Sequence, residues 1–264
     1  MVERRFVPLP PTEAIKALFA RGAVLDPKFS WLDVWEEIHA TSFTVAKSAG
    51  FDILDEIFQA LMEALSQGKT FRDFANELIV PLQQKGWWGK KLVEDPITGE
   101  TVPAQLGSIR RLQTIFDANL RVSYAAGHWQ HFETNKRTRP FLRYVCILDE
   151  RTRPTHRLHH NLVLPVDHPH WRIWGCPNGW NCRCTFQSLT QRDVDRMLAE
   201  GIELKFEPPV VPMRQFVNKR TGEVSEVPEG IDPGWAYNPG KAGYDAIVAA
   251  ELARKQASSQ WASE

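Results

Sequence analysis

Apolar residues in the first half of the chain return every three or four positions. Between Phe51 and Gln67 they fall at Leu54, Ile57, Phe58, Leu61 and Leu65, a spacing that predicts one helix with a single apolar face. Such a face requires a partner helix. Trp31 to Lys47 repeats the pattern more loosely, through Leu32, Trp35, Ile38 and Phe43, and is read as helical. Thr70-Phe71-Arg72-Asp73 resembles a capping box opening another helix, which Pro81 should kink or end. Residues 86–107 break the periodicity. Gly86-Trp87-Trp88-Gly89 and the turn-rich run Asp95-Pro96-Ile97-Thr98-Gly99-Glu100 predict a loop or small hairpin. Ile109, Leu112, Ile115, Phe116, Leu120 and Tyr124 then mark a long amphipathic helix from about Ser108 to about Thr134.

The texture changes at Asn135. Phe141 to Leu148 is rich in β-branched and aromatic residues and predicts a strand, after which short strands and loops carry proline, histidine and cysteine as far as Leu189. A short helix capped by Thr190 should turn Val194, Met197 and Leu198 inward. Residues 203–240 read as extended, with Thr221-Gly222 between two strand-like runs. Tyr244, Ile247, Val248 and Leu252 predict a last helix over about Lys241 to Gln256, with fraying beyond it. The expected class is α+β, in three parts. Residues 1–134 form a helical region, 135–200 a compact His/Cys-rich module with short strands, and 201–264 an extended arm ending in a helix.

Composition narrows the functional class. Hydrophobic residues make up 43% and charged residues 24%, both near the averages for a soluble globular chain. Basic and acidic side chains balance at 32 each, so no global field draws the chain to nucleic acid or an anionic membrane, and any DNA contact must be local. No apolar run approaches the roughly 18 residues of a membrane span, and Met1 to Ala14 lacks a signal peptide's apolar stretch, so the chain is expected to stay in the cytoplasm where it is made. The four cysteines are Cys146, Cys176, Cys182 and Cys184, three of them within nine residues. In a reducing compartment that grouping suggests metal ligation or a buried thiol set more than a disulfide framework. Several of the ten tryptophans lie in glycine-flanked or polar settings, as rings packed over loops or offered to partners do.

The most specific chemistry lies between residues 149 and 184. Asp149-Glu150-Arg151-Thr152-Arg153-Pro154-Thr155-His156 is followed by His159-His160-Asn161, by Asp167-His168-Pro169-His170-Trp171, and by Pro177-Asn178-Gly179-Trp180-Asn181-Cys182-Arg183-Cys184. Around this core stand Phe43-Thr44-Val45-Ala46, Gly86-Trp87-Trp88-Gly89, Ile115 to Arg121 with Asn119, and Asp232-Pro233-Gly234-Trp235-Ala236-Tyr237-Asn238-Pro239-Gly240. In this order, across nearly the whole chain, the elements resemble the Mu F-like phage head morphogenesis family. The chain departs from that pattern in having Cys176 where members often carry proline and Asn161 where they often carry glycine. Arg153 and His156 also stand where some relatives place a Cys-x-x-Cys pair.

The resemblance implies a minor head protein that binds portal or major capsid protein during assembly. Such a protein would reside in the virion head or portal vertex and in the host cytoplasm beforehand, with no membrane or small-molecule substrate. It also implies zinc, held by His156, Cys182, Cys184 and, as a substitute fourth ligand, Cys176. The bland alternative is that the thiols are small buried hydrophobes and the histidines bond backbone carbonyls. Asp149, between arginines, is expected to anchor a turn. Asn119 and Arg121 should tie the long helix to the module or face the portal, and Trp235 and Tyr237 should dock on the chain's own surface or on another subunit. Lys136, Arg137, Arg139 and Arg143 open the one concentrated basic segment, a natural phosphate contact or a face of internal arginine pairs. A rival class is a metal-dependent nuclease using the histidine cluster, although its spacing fits no nuclease motif and no paired carboxylates accompany it.

Overall fold

The computed structural model describes residues 10–48 and 50–261, with side chains through Gln256. Of the end where fraying is expected, residues 257–261 are helical and residues 262–264 lie outside the described residues. The first element, α1 (Thr12–Gly22), was not evident from the sequence, although Ala14, Ala17, Leu18 and Arg21 share its buried face. Small alanines and an arginine make a weak apolar signal.

The helix expected over Trp31–Lys47 does not form. Only a 3-10 turn at Trp31–Asp33 and the single-turn α2 (Ile38–Thr41) are helical. Ser30 and Asp33 cap each other, and the Thr41 and Ser42 hydroxyls donate back to the Ile38 carbonyl, so short polar side chains compete with helix propagation. The chain then runs extended, making parallel bridges between Leu25 and Phe43 and between Lys28 and Ala46.

The stripe at Phe51–Gln67 becomes α3 (Phe51–Gln67) with the expected bounds, and Leu54, Ile57 and Leu61 are fully buried. α4 (Phe71–Gln84) opens on the Thr70–Asp73 capping box and runs past Pro81. A proline this close to the end removes one backbone bond, to the carbonyl of exposed Glu77, and the helix tolerates that. The segment after it is the antiparallel hairpin β1 (Lys90–Glu94) and β2 (Thr101–Gln105). Next, α5 (Ile109–Asn135) is the spine. Ser108 caps it by accepting from the Arg111 N–H, Leu112 and Phe116 join the core of α3 and α4, and Trp129 and Phe132 pack into the module that follows.

That module centres on β3 (Phe141–Val145). α6 (Pro154–Leu158), β4 (Val163–Pro165), a 3-10 turn at Pro169–Arg172 and β5 (Thr185–Leu189) follow, and β3 lies between β4 and β5 in an antiparallel sheet. Asn161 takes a φ of 65°, the left-handed conformation for which glycine is the usual residue. α7 (Gln191–Ala199) is capped by Thr190 and buries Val194 and Met197, but Leu198, expected to face inward, is 47% exposed. A helix this short, touching the module on one side only, covers a narrow face.

The C-terminal segment supplies the hairpin β6 (Met213–Val217) and β7 (Val224–Pro228) and then α8 (Pro239–Trp261), longer at both ends than expected. It folds back over the N-terminal helices. Phe216 stacks on Trp35 at 5.8 Å, Arg220 pairs with Asp33 and Asp95, and α8 packs against α5 and α1 through Ile247, Ala126 and Ala17. Trp235 and Tyr237 dock on the chain itself, each 2% exposed. Among the described residues no helix is long and apolar enough to cross a membrane.

Candidate functional site

Proline at the first position of α6 presets the helical φ and puts His156 on the buried side of a single turn. Cys146 leaves the end of β3, while Cys182 and Cys184 flank Arg183 just before β5. The imidazole, Cys182 and Cys184 converge. His156 Nδ1 lies 3.7 Å from Cys182 Sγ and 3.6 Å from Cys184 Sγ, and the three ligating atoms sit within 4.8 Å of one another. The other ring nitrogen, Nε2, is 3.0 Å from the Gly230 carbonyl. A carbonyl can only accept, so Nε2 carries the proton and Nδ1 offers its lone pair to the thiols.

Cys146, which the sequence reading had not placed in the group, brings its sulfur to 3.5 Å from Cys184. Cys176, which it had, lies outside the trio, buried and bonded to the Tyr144 hydroxyl. The thiols crowd one another. Hydrogen bonding with Cys184, then burial, pushes Cys182 up to about 12, and the bond to Cys146 leads the causes that push Cys184 up to about 11. Soft sulfur and a neutral imidazole in this number suit a zinc-type ion.

The signature residues around the cluster hold chain to chain. Arg183 forks onto Asp149 at 2.8 and 2.5 Å and holds its carboxyl well below the usual range. Asp149 also accepts from the Arg151 N–H within its own turn. Arg153 donates to the carbonyls of Asn178, Trp180 and Gly230 and pairs with Asp232 at 2.8 Å, while Asp232 accepts from the Trp180 N–H. Two glycines make that approach possible. A Cβ on Gly179 would fall 2.4 Å from Asp232 Oδ2, one on Gly230 would fall 1.8 Å from Thr155 Oγ1, and both take positive φ. Pro154 begins α6, Pro169 begins the 3-10 turn, and buried Trp171 donates to the Pro165 carbonyl. Arg121 ties the spine to the module by donating to the Cys182 carbonyl, whereas Asn119 reaches Arg21 of α1 instead.

The other histidines of this segment lie outside the trio. His159 stacks on Trp174 at 3.8 Å, and burial pulls its imidazole down to about 3. His170 stacks in the same layer and is pulled to about 4, again by burial. His160 accepts from the Cys146 N–H. Of the basic segment, Lys136 pairs with Glu133 and Asp167, Arg139 with Asp193 and Ser188, and Arg143 with Asn161 and Gln187, while exposed Arg137 has no partner among the described residues.

A separate cavity of about 260 Å³ opens between α1, the Trp31 turn, α5 and the C-terminal segment, with Lys28, Trp31, Trp180 and Trp235 in its walls and no carboxylate. Arg21 also lines it. Burial lowers that guanidinium to about 10, and it donates once, to Asn119 at 2.7 Å, leaving Nε and Nη1 without a partner among the described residues. Sequence reading missed Arg21, since a lone arginine in an alanine-rich helix carries no local signal.

A family model described as Phage Mu protein F like protein matches residues 55–187, a stretch that contains the whole thiol cluster. The chain is 34% identical over 249 residues to a protein of Escherichia phage Mu named "Putative capsid assembly protein F", a match covering 89% of this chain and 55% of that one. It is 33% identical over 234 residues to the Mu-like prophage FluMu F protein of Haemophilus influenzae, covering 84% of this chain and 55% of the relative. The chain thus spans about half the length of the curated relatives it matches. No solved structure matches it. With the family model taking in the thiol cluster and identity sustained across most of the sequence, this chain belongs to the phage Mu protein F-like family.

Proposed function

We propose that this chain acts in bacteriophage head assembly as a structural protein that binds another head component, portal or major capsid protein. The observation that carries the reading is the sustained similarity to the Mu protein named for capsid assembly. The chemistry of the module supports it. Asp149, Arg153 and Arg183 are committed to internal pairs, and His159 and His170 are stacked and neutral, so the groups a nuclease would use as acid, base or phosphate clamp serve as struts. In the basic segment Lys136 and Arg139 face carboxylates, which leaves Arg137 and the amide-bonded Arg143 without an acidic partner among the described residues.

The contact we assign is the aromatic, carboxylate-free cavity beside α1. Arg111 and the incompletely paired Arg21 give it positive character, Lys28 at its wall is paired with Asp26 at 3.0 Å, and Trp31 and Trp180 supply flat apolar area, so it suits an acidic segment of the partner that can compete for Lys28. The test is capture of portal and of major capsid protein by the purified chain, compared with the surface variants Lys28→Glu and Trp31→Ala. One of the two partners should be retained, and each variant should weaken it at least tenfold. Retention of neither partner, together with normal infectivity of phage lacking the chain, overturns the assembly role. Undiminished capture by both variants overturns the cavity. Metal-dependent nicking of plasmid that His156→Ala abolishes would replace the reading with the nuclease.

A further inference from the structure

We propose that His156, Cys182, Cys184 and Cys146 form a four-ligand structural metal site of the zinc type, whose imidazole is fixed by the Gly230 carbonyl so that the ion also fastens the C-terminal segment to the module. The inference stands on the geometry of the cluster and is independent of the assembly role.

The spacing fits. With metal–sulfur bonds of about 2.3 Å and metal–nitrogen bonds of about 2.0–2.1 Å, a tetrahedral site has S···N edges of about 3.6 Å and S···S edges of about 3.8 Å. Here the two S···N separations are 3.6 and 3.7 Å, and Cys146 and Cys184 stand 3.5 Å apart. The tautomer fits as well. Ligating histidines almost always donate their second N–H to a carbonyl or carboxylate, which aims the ring and raises its basicity, and the Nε2–H to Gly230 bond does that here.

Cys146 supplies the fourth donor. It is 5% exposed and sits beside the trio at the end of β3, where β3–β5 pairing sets it next to Cys184; its thiol donates to the His156 carbonyl at 3.1 Å, a bond that it gives up, closing on the trio, when it is deprotonated by the ion. Arg153, in the position where a thiol would precede His156 by three residues, has turned to the Asp232 pair instead. The fourth sulfur therefore comes from the strand. The four ligands join three segments, the end of β3, α6 and the loop before β5. A fourth segment is tied in through Gly230, whose carbonyl accepts from His156 Nε2 and from Arg153 at 2.9 Å.

The experiment uses the full chain, expressed in zinc-supplemented medium and analysed for metal by elemental mass spectrometry. Cobalt(II) is then added to chelated protein to read coordination from the visible spectrum. Expected are one zinc per chain and an intense tetrahedral cobalt spectrum with thiolate-to-metal bands. Cys146→Ser should lower cobalt affinity at least tenfold and weaken the thiolate bands, while Cys176→Ser should leave both as in the wild type. A second readout needs no variant. Titrating the wild-type zinc protein with a mercurial should release one equivalent of zinc, and limited proteolysis should then cut between residues 203 and 238, which are protected while the metal is bound. Absence of zinc and of any tetrahedral cobalt spectrum overturns the site. Loss of binding in Cys176→Ser with none in Cys146→Ser overturns the ligand assignment, and unchanged proteolysis on metal release overturns the fastening.

Discussion

The N-terminal helices and the thiol-bearing module solve the same problem with different materials. Around α3, α4 and the first half of α5, large aliphatic and aromatic side chains form one continuous apolar cluster, with Leu18, Leu54, Ile57, Leu61, Phe74, Leu82 and Leu112 fully or almost fully buried. The module has strands of three to five residues and buries fewer such side chains, and its interior mixes rings with thiols, histidines and the Arg153–Asp232 and Arg183–Asp149 pairs. Burial is forgiving of small displacements, since it scales with area. Directional bonds are not. The first region should therefore lose stability gradually as its side chains are trimmed, and the second should depend on a few groups whose loss is abrupt.

Metal removal should separate the two most clearly. Chelation or release of the ion is expected to cost the module on the order of several kcal/mol. Hydrogen exchange would show lost protection in β3, β5 and the C-terminal hairpin while α3 and α4 remain protected, and equal loss in both regions would erase the distinction. Next in size, Leu61→Ala should cost about 2–5 kcal/mol in denaturant unfolding, because it opens a void in the apolar cluster, and it should leave metal content unchanged.

Protonation should probe the seam between the regions. His39 stacks on Trp235 at 5.8 Å, and burial, followed by the nearby Arg21 charge, pulls its imidazole from the ordinary 6.5 to about 4. Above pH 6.5 the folded and unfolded chains are both neutral at this group. Between 6.5 and 4 only the unfolded chain takes up the proton, so stability should fall with pH across that window, by at most about 1.4 kcal/mol per unit, and flatten below it. His39→Gln should make the thermal midpoint less dependent on pH there. The smallest effect is a matched pair. Thr70 and Thr190 make the same capping box on α4 and α7, and replacing either by Ala should cost about 1 kcal/mol, read from thermal melts. Unequal costs would show which region fails to redistribute a lost cap.

Local signals in the sequence were accurate where a helix or hairpin is specified by its own residues. The α3 stripe, the start of α5 near Ser108, the Thr190 cap, the turn-rich hairpin after α4 and the Thr221-Gly222 turn are all formed as the pattern predicts. The pattern failed where short polar side chains or a tertiary partner overrode it, at Trp31–Lys47, where hydroxyls turn the backbone aside, and in α1, whose alanines matter only because α5 and α8 lie against them. The candidate site divides the same way. His156, Cys182 and Cys184 were named through the family resemblance, whereas Cys146 and Cys176 exchange places as neighbours of the trio because β-pairing, not chain distance, decides which sulfur arrives.

The order of residues by itself determined the class of elements, the caps that bound them and the family to which the chain belongs, since those depend on side chains a few positions apart or on identity along the chain. Tertiary structure alone decided which charges are struts, which histidine faces the thiols and where Gly230 and Asp232 land. Those outcomes require groups 70 or more positions apart, His156 with Gly230 and Arg153 with Asp232, to meet at hydrogen-bonding distance. Only the packed chain brings such groups together.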